Sequence, residues 1–211
     1  MLIGAASVIY VAYAVMTPPE VYFAMKMTFS RQELQELAIA WAVLSIILSR
    51  LDLALLPVSL AAAGTAFVCH ELAHKYLAVR HGYFAEFRMW RQGILLAILV
   101  AFISRGSFIF AAPGAVYIFG YAIPEPVHGK ISFAGPALNI IVGTASLAAF
   151  SVFGGALFAA VATINGYLGF FNLMPVPPLD GRAIRAWNKR LYYAVVAWSF
   201  ALVMGIEYIV F

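Results

Sequence analysis

The chain reads as an all-α polytopic membrane protein: six transmembrane helices, with a re-entrant or shallow helix and a small membrane-embedded β-hairpin between the third and the fourth. Of its 211 residues, 64% are hydrophobic and only 10% charged, an apolar share well above the roughly half found in soluble domains. The apolar residues fall in uninterrupted runs, several near the ~20 residues that a bilayer-crossing helix needs. The charged residues gather in the short connections between them. This pattern predicts one domain over residues 1–211, its chemistry between about 53 and 190.

Met1 to Met16 is apolar without a basic leader, which predicts an uncleaved helix, ended by Thr17-Pro18-Pro19-Glu20. Residues 34–49 form a second span closed by Arg50 and Asp52, and 53–79 a third before Arg80, His81 and Gly82. The fourth and fifth, 132–153 and 156–173, meet at Gly154-Gly155, and the last is 191–211. Glu207 falls within that last span, where a carboxylate belongs near the far interface or in a polar crevice.

Between the third and fourth spans, residues 92–123 hold a single charge, Arg105. Two full crossings would need about 40 residues, and one crossing would put Asp180 roughly 30 Å from the histidines of the third span. Entry and return on one side is the remaining path. Gly93 to Ile103 is then a shallow or re-entrant helix and Phe108 to Tyr121 a strand-like hairpin, with Pro113, Gly114 and Gly120 at its turns. Irregular backbone at that depth must be covered by protein or line a wet cavity.

The net charge is +4. Lys26, Arg31, Arg80, Arg88, Arg91, Lys130, Arg182, Arg185, Lys189 and Arg190 all fall on one side of this topology, the cytoplasmic side by the positive-inside rule. Both termini then face outward. No basic stripe interleaves with aromatics, so nucleic acid is not an expected partner. The single cysteine, Cys69, excludes an internal disulfide and is expected to pack as a small apolar group.

His70-Glu71-Leu72-Ala73-His74 ends a stretch, residues 53–69, that carries no charge. Histidines four apart lie on one face of a helix and can share a single Zn²⁺, while the adjacent glutamate can deprotonate a water at the metal. From His74 to Arg80 is about 9 Å along a helix, which places the motif inside the membrane near the cytoplasmic surface. A catalytic zinc site takes three protein ligands and an open position. His81 is placed to cap its own helix, and His128 sits in a basic loop. Of the two aspartates, Asp52 lies on the opposite side; Asp180 remains. It follows Pro175, Pro177 and Pro178, which forbid a continuing helix and make a rigid extended arm. Its ordinary role would be the N-cap of the helix that holds Arg182.

His-Glu-Leu-Ala-His on a membrane helix, followed by Asn172-Leu-Met-Pro-Val-Pro-Pro-Leu-Asp180-Gly181, resembles the site-2 protease family of intramembrane zinc metalloproteases. Phe133-Ala134-Gly135-Pro136-Ala137-Leu138-Asn139 resembles the Gly-Pro helix start of that family. The resemblance spans roughly 53–190, apart from an extra apolar segment between Gln92 and Ile109. It implies one Zn²⁺ held by His70, His74 and Asp180, Glu71 as general base, and Asn172 as a hydrogen-bond donor to the substrate carbonyl. Asn139 would line the same pocket or bond between helices, and the hairpin at Gly114 would pair with an unwound substrate strand. The implied activity is endoproteolysis of a transmembrane protein within the bilayer of the cell membrane. A catalytically inactive metal-binding adaptor and a zinc transporter are the competing classes; transporters usually spread polar residues over several spans.

Overall fold

The computed structural model describes residues 10–12, 26–104, 113–120 and 122–211. Among them, three helices are long and apolar enough to cross a membrane: Leu56–Arg80, Glu125–Phe153 and Lys189–Ile209. Arg91–Ile103 and Ala156–Asn172 are apolar but shorter.

Helix α1, Arg31–Leu48, begins where Ser30 accepts a hydrogen bond from the Glu33 amide at 3.1 Å. The expected second span thus starts with a charged turn. The expected third span is one helical run in three parts: α2 (Leu56–Ala63), a π turn (Gly64–Val68) and α3 (Cys69–Arg80). In the π turn the Cys69 amide reaches back to the Gly64 carbonyl. Such turns shift the register of side chains that follow, here immediately before His70.

The region between α3 and the next long helix differs from expectation. Gly93 to Ile103 is helical, within α4 (Arg91–Ile103). Of the expected hairpin, residues 108–112 and 121 lie outside the described residues; its described part holds the strand β3 (Gly114–Phe119). It pairs antiparallel with β2, Phe84–Met89, which precedes α4, with Phe84 opposite Phe119 and Met89 opposite Gly114. No element is expected from the sequence over Phe84–Met89, which carries two charges. They are tolerated because Glu86 and Arg88, two apart on one strand face, bond to each other. A third strand, β1 (Tyr10–Ala12), lies parallel to the other edge of β3. Within the helix expected from Met1 to Met16, Tyr10–Ala12 is extended instead of helical, and the other residues of that span lie outside the described ones.

The outer edge of β2 is closed by side chains of α1. Glu33 Oε1 accepts from the Phe87 amide at 2.9 Å and Glu36 Oε2 from the Met89 amide at 2.8 Å. Residues three apart on a helix share a face, so the two carboxylates meet alternate strand amides and blunt an edge that would otherwise invite pairing.

Helix α5 runs Glu125–Phe153 and starts seven residues before the expected fourth span. Gly135-Pro136 is consequently mid-helix rather than a helix start. Gly154 and Gly155, at φ of 65° and 95°, make the turn into α6 (Ala156–Asn172). The two helices approach closely at small residues: a Cβ on Gly143 would stand 3.2 Å from the Gly166 amide nitrogen. Residues 173–179 form an irregular arm ending in α7 (Asp180–Trp187), and α8 (Lys189–Ile209) is capped by Asn188. The polarity of the fold is inverted relative to a soluble protein. Glu33, His70, Glu71, His74, Lys75, Asn139, Asn165 and Asp180 are buried, whereas Leu95, Phe102, Ile141, Phe153, Trp198 and Phe200 are exposed. An apolar exterior of this kind suits contact with lipid tails.

Candidate metal centre

Three elements converge on one point. α3 presents His70 and His74 one turn apart, α7 brings Asp180 at its first residue, and α5 crosses beside them at Gly135. His70 Nε2 and His74 Nε2 are 3.0 Å apart, and Asp180 Oδ2 lies 3.4 and 3.3 Å from them. Ligands around a tetrahedral zinc with bonds of about 2.0–2.1 Å are separated by roughly 3.3 Å. His70, His74 and Asp180 are at most 2% exposed.

The protons point away from this centre. His74 Nδ1 meets the Ile131 carbonyl at 2.8 Å, and His70 Nδ1 meets Asn139 Oδ1 at 2.5 Å. With Nδ1 donating in each ring, both Nε2 atoms face inward as lone pairs, beside a carboxylate whose oxygens take no hydrogen bond. In this tautomer the three inward atoms are all acceptors, a set that a metal cation would satisfy.

Gly135 leaves the room for an ion. A Cβ there would stand 2.5 Å from His74 Nε2 and 2.6 Å from His70 Nε2. One turn before Gly135 on the same helix, the Ile131 carbonyl serves His74. Gly181 is equally constrained, since a Cβ would press to 2.1 Å from the Leu173 carbonyl oxygen. The arm is thereby clamped and Asp180 delivered as the first residue of α7, with Leu179 at the cap position.

Other residues fall as follows. Glu71 is buried beside His70. Asn172 ends α6; its Nδ2 donates to the Leu168 carbonyl at 3.0 Å while its buried Oδ1 has no partner. Asn139 is an interhelical bond-maker, its amide engaged with His70, the Ala66 carbonyl and Asn165. Gly114 sits apart, against the Arg88 carbonyl and Phe87 ring of β2. His81 caps α3 through Nδ1 to the Leu77 carbonyl at 2.8 Å. Neither it, His128 nor Cys69 belongs to the ligand cluster found among the described residues. The sequence pointed to Gly135 only through its Gly-Pro motif, and assigned no role to Thr65 or Asn165. Asn165 carried a signal: it is an amide within an otherwise apolar helix.

No protein-family model matches the chain, and no solved structure matches it. Among curated proteins it is 34% identical over 175 residues to the "Putative zinc metalloprotease MJ0611" of Methanocaldococcus jannaschii, covering 79% of this chain and 90% of that protein. It is 30% identical over 158 residues to the "Putative zinc metalloprotease YwhC" of Bacillus subtilis, covering 63% and 69%. The "Putative zinc metalloprotease Rip3" of Mycobacterium tuberculosis is 30% identical over 135 residues, covering 59% of this chain and 29% of that protein. The donor set fits zinc, the metal those names share, and with a relative matched over nine-tenths of its length the chain belongs to the site-2 protease family of zinc metalloproteases.

Proposed function

We propose that the protein is an intramembrane zinc endopeptidase that hydrolyses a peptide bond in a transmembrane segment of another membrane protein. The observation that carries this reading is the convergence of His70, His74 and Asp180, with Glu71 alongside, in a buried polar core behind an apolar exterior. His70, His74 and Asp180 would hold the zinc. When bound, zinc supplies Lewis acidity that polarises the scissile carbonyl and acidifies a coordinated water. Glu71 takes the proton from the attacking water and returns it to the leaving amine. Asn172, beside the proline arm, steadies the carbonyl oxygen as negative charge develops there, a contribution of about 3 kcal/mol for one such donor.

A helical substrate conceals its peptide bonds in its own hydrogen bonds, so cleavage requires local unwinding and replacement partners. The sheet offers them. Glu33 and Glu36 occupy the outer edge of β2, and β1 pairs with Tyr117 to Phe119 on the other edge of β3, which leaves the Gly114 to Val116 part of that edge for an extended substrate segment. In this reading the chain crosses the cell membrane several times with its basic loops in the cytoplasm, the metal lies nearer that face, and the C-terminus is outside.

Glu71→Gln is the direct test. In lipid nanodiscs the variant retains one zinc per chain, because all three ligands survive, but does not cleave single-span membrane peptides that the wild type cleaves. Full activity in Glu71→Gln would overturn the mechanism.

A further inference from the structure

The orientation of His70 is set by residues that touch neither the ion nor the reacting groups. Asn139 lies within hydrogen-bond range of a backbone carbonyl, Ala66, at 2.8 Å. A carbonyl only accepts, so that side of the Asn139 amide must be its nitrogen. Its oxygen then faces His70 Nδ1, and the His70 proton is held there. The second Asn139 N–H goes to Asn165 Oδ1 at 3.0 Å. Asn165 is oriented by the same logic. Its nitrogen donates to the Val161 carbonyl at 2.9 Å and to Thr65 Oγ1 at 3.0 Å, leaving only its oxygen for Asn139. Thr65 donates in turn to the Ala61 carbonyl at 3.0 Å.

The chain Thr65–Asn165–Asn139–His70 therefore runs from the half-buried Thr65 of the π turn through α6 and α5 to the buried metal helix. Asn139 and Asn165 are both 0% exposed. Its first and last members and the Ala66 carbonyl all belong to the α2–π–α3 run, where the π turn sets their mutual register.

We propose that Asn139 and Asn165 form a tautomer lock: they keep the His70 proton on Nδ1 and its Nε2 lone pair toward the zinc, Asn165 acting through Asn139. Both are positioning residues, and Asn139 is not a substrate contact. This rests on zinc ligation by His70 but not on cleavage, so binding measurements test it alone. Outer partners of ligating histidines typically alter metal affinity about 10- to 100-fold when removed.

The experiment is a chelator competition for zinc on the full chain in nanodiscs, with wild type, Asn165→Leu, Asn139→Leu and the double variant. Each single variant is expected to lose about 10- to 100-fold in zinc affinity. The double variant is expected to match Asn139→Leu, because residues acting in series are not additive. The visible spectrum of the Co²⁺-loaded protein should change in Asn165→Leu, although Asn165 does not touch the ion. Unchanged affinity and spectrum in folded Asn165→Leu, or losses that multiply in the double variant, would overturn the lock. If Asn165→Leu does not fold, Asn165→Ser, too short to bridge Asn139 and Val161, carries the same comparison. A chain that shows the lock yet cleaves no peptide would refute the protease reading and leave this one standing.

Discussion

Lys75 Nζ is bonded to Glu33 Oε2 at 2.5 Å, with both side chains buried, one residue beyond the second histidine of the metal cluster. The ammonium also lies 4.3 Å from the centroid of the Phe29 ring. Through this pair α1 is attached to the metal helix, and Glu33 uses its other oxygen to hold β2. Removing one member of a buried pair strands the other charge, which costs about 3–5 kcal/mol. Lys75→Met should lower stability by that order in thermal denaturation of the detergent-solubilised protein. Combining it with Glu33→Gln should recover part of the loss, since no buried charge is then left alone. Equal stability of Lys75→Met and wild type would show that the pair contributes nothing.

The ligand set makes a sharper claim about Asp180. Asp180→Asn preserves shape but removes the charge that offsets the ion, and its amide nitrogen would present hydrogens to a centre built of acceptors. Zinc content after dialysis against a weak chelator should fall from one per chain to near zero, as it should for His74→Ala. Retention of one tightly held zinc in Asp180→Asn would remove Asp180 from the ligand set.

Gly135 tests whether the backbone of α5 forms a wall of the metal site. A methyl group there would stand 2.5 Å from His74 Nε2, so Gly135→Ala must displace a ligand or the helix. Zinc affinity should fall at least tenfold, the lower end of the outer-partner range. Gly205→Ala is the matched control, because its added methyl meets only the flexible Leu147 side chain at 3.3 Å. Similar zinc affinity in the two variants would mean that α5 is free to yield at Gly135.

Periodicity and charge made the long helices legible: Leu56–Arg80, Glu125–Phe153 and Lys189–Ile209 fall where uncharged runs of spanning length occur. The metal cluster was legible because its members are rare. A chain with four histidines and two aspartates offers few ways to assemble three ligands. The partner of β3 was hidden, since Glu86 and Arg88 resemble a solvated loop until their mutual pairing is seen. Pro136 similarly suggested a helix start, whereas the surrounding packing holds it within α5. Thr65 and Asn165 join the site through a spatial relation between helices 100 residues apart in sequence, which no local pattern encodes.

Asn172 separates catalysis from metal binding. Its Oδ1 is buried without a hydrogen-bond partner while Nδ2 reaches the Leu168 carbonyl, so one N–H of the amide is uncommitted to the helix. If that N–H meets the substrate carbonyl as charge develops, Asn172→Leu should reduce kcat on a membrane-peptide substrate by about 100- to 1000-fold. KM should change little, because the interaction strengthens in the transition state rather than the ground state. Zinc content should stay at one per chain, since Asn172 lies outside the three-residue ligand cluster. A fall in zinc content alongside activity would instead mark Asn172 as part of the scaffold that places the proline arm, and unaltered kcat would leave the amide as a helix cap.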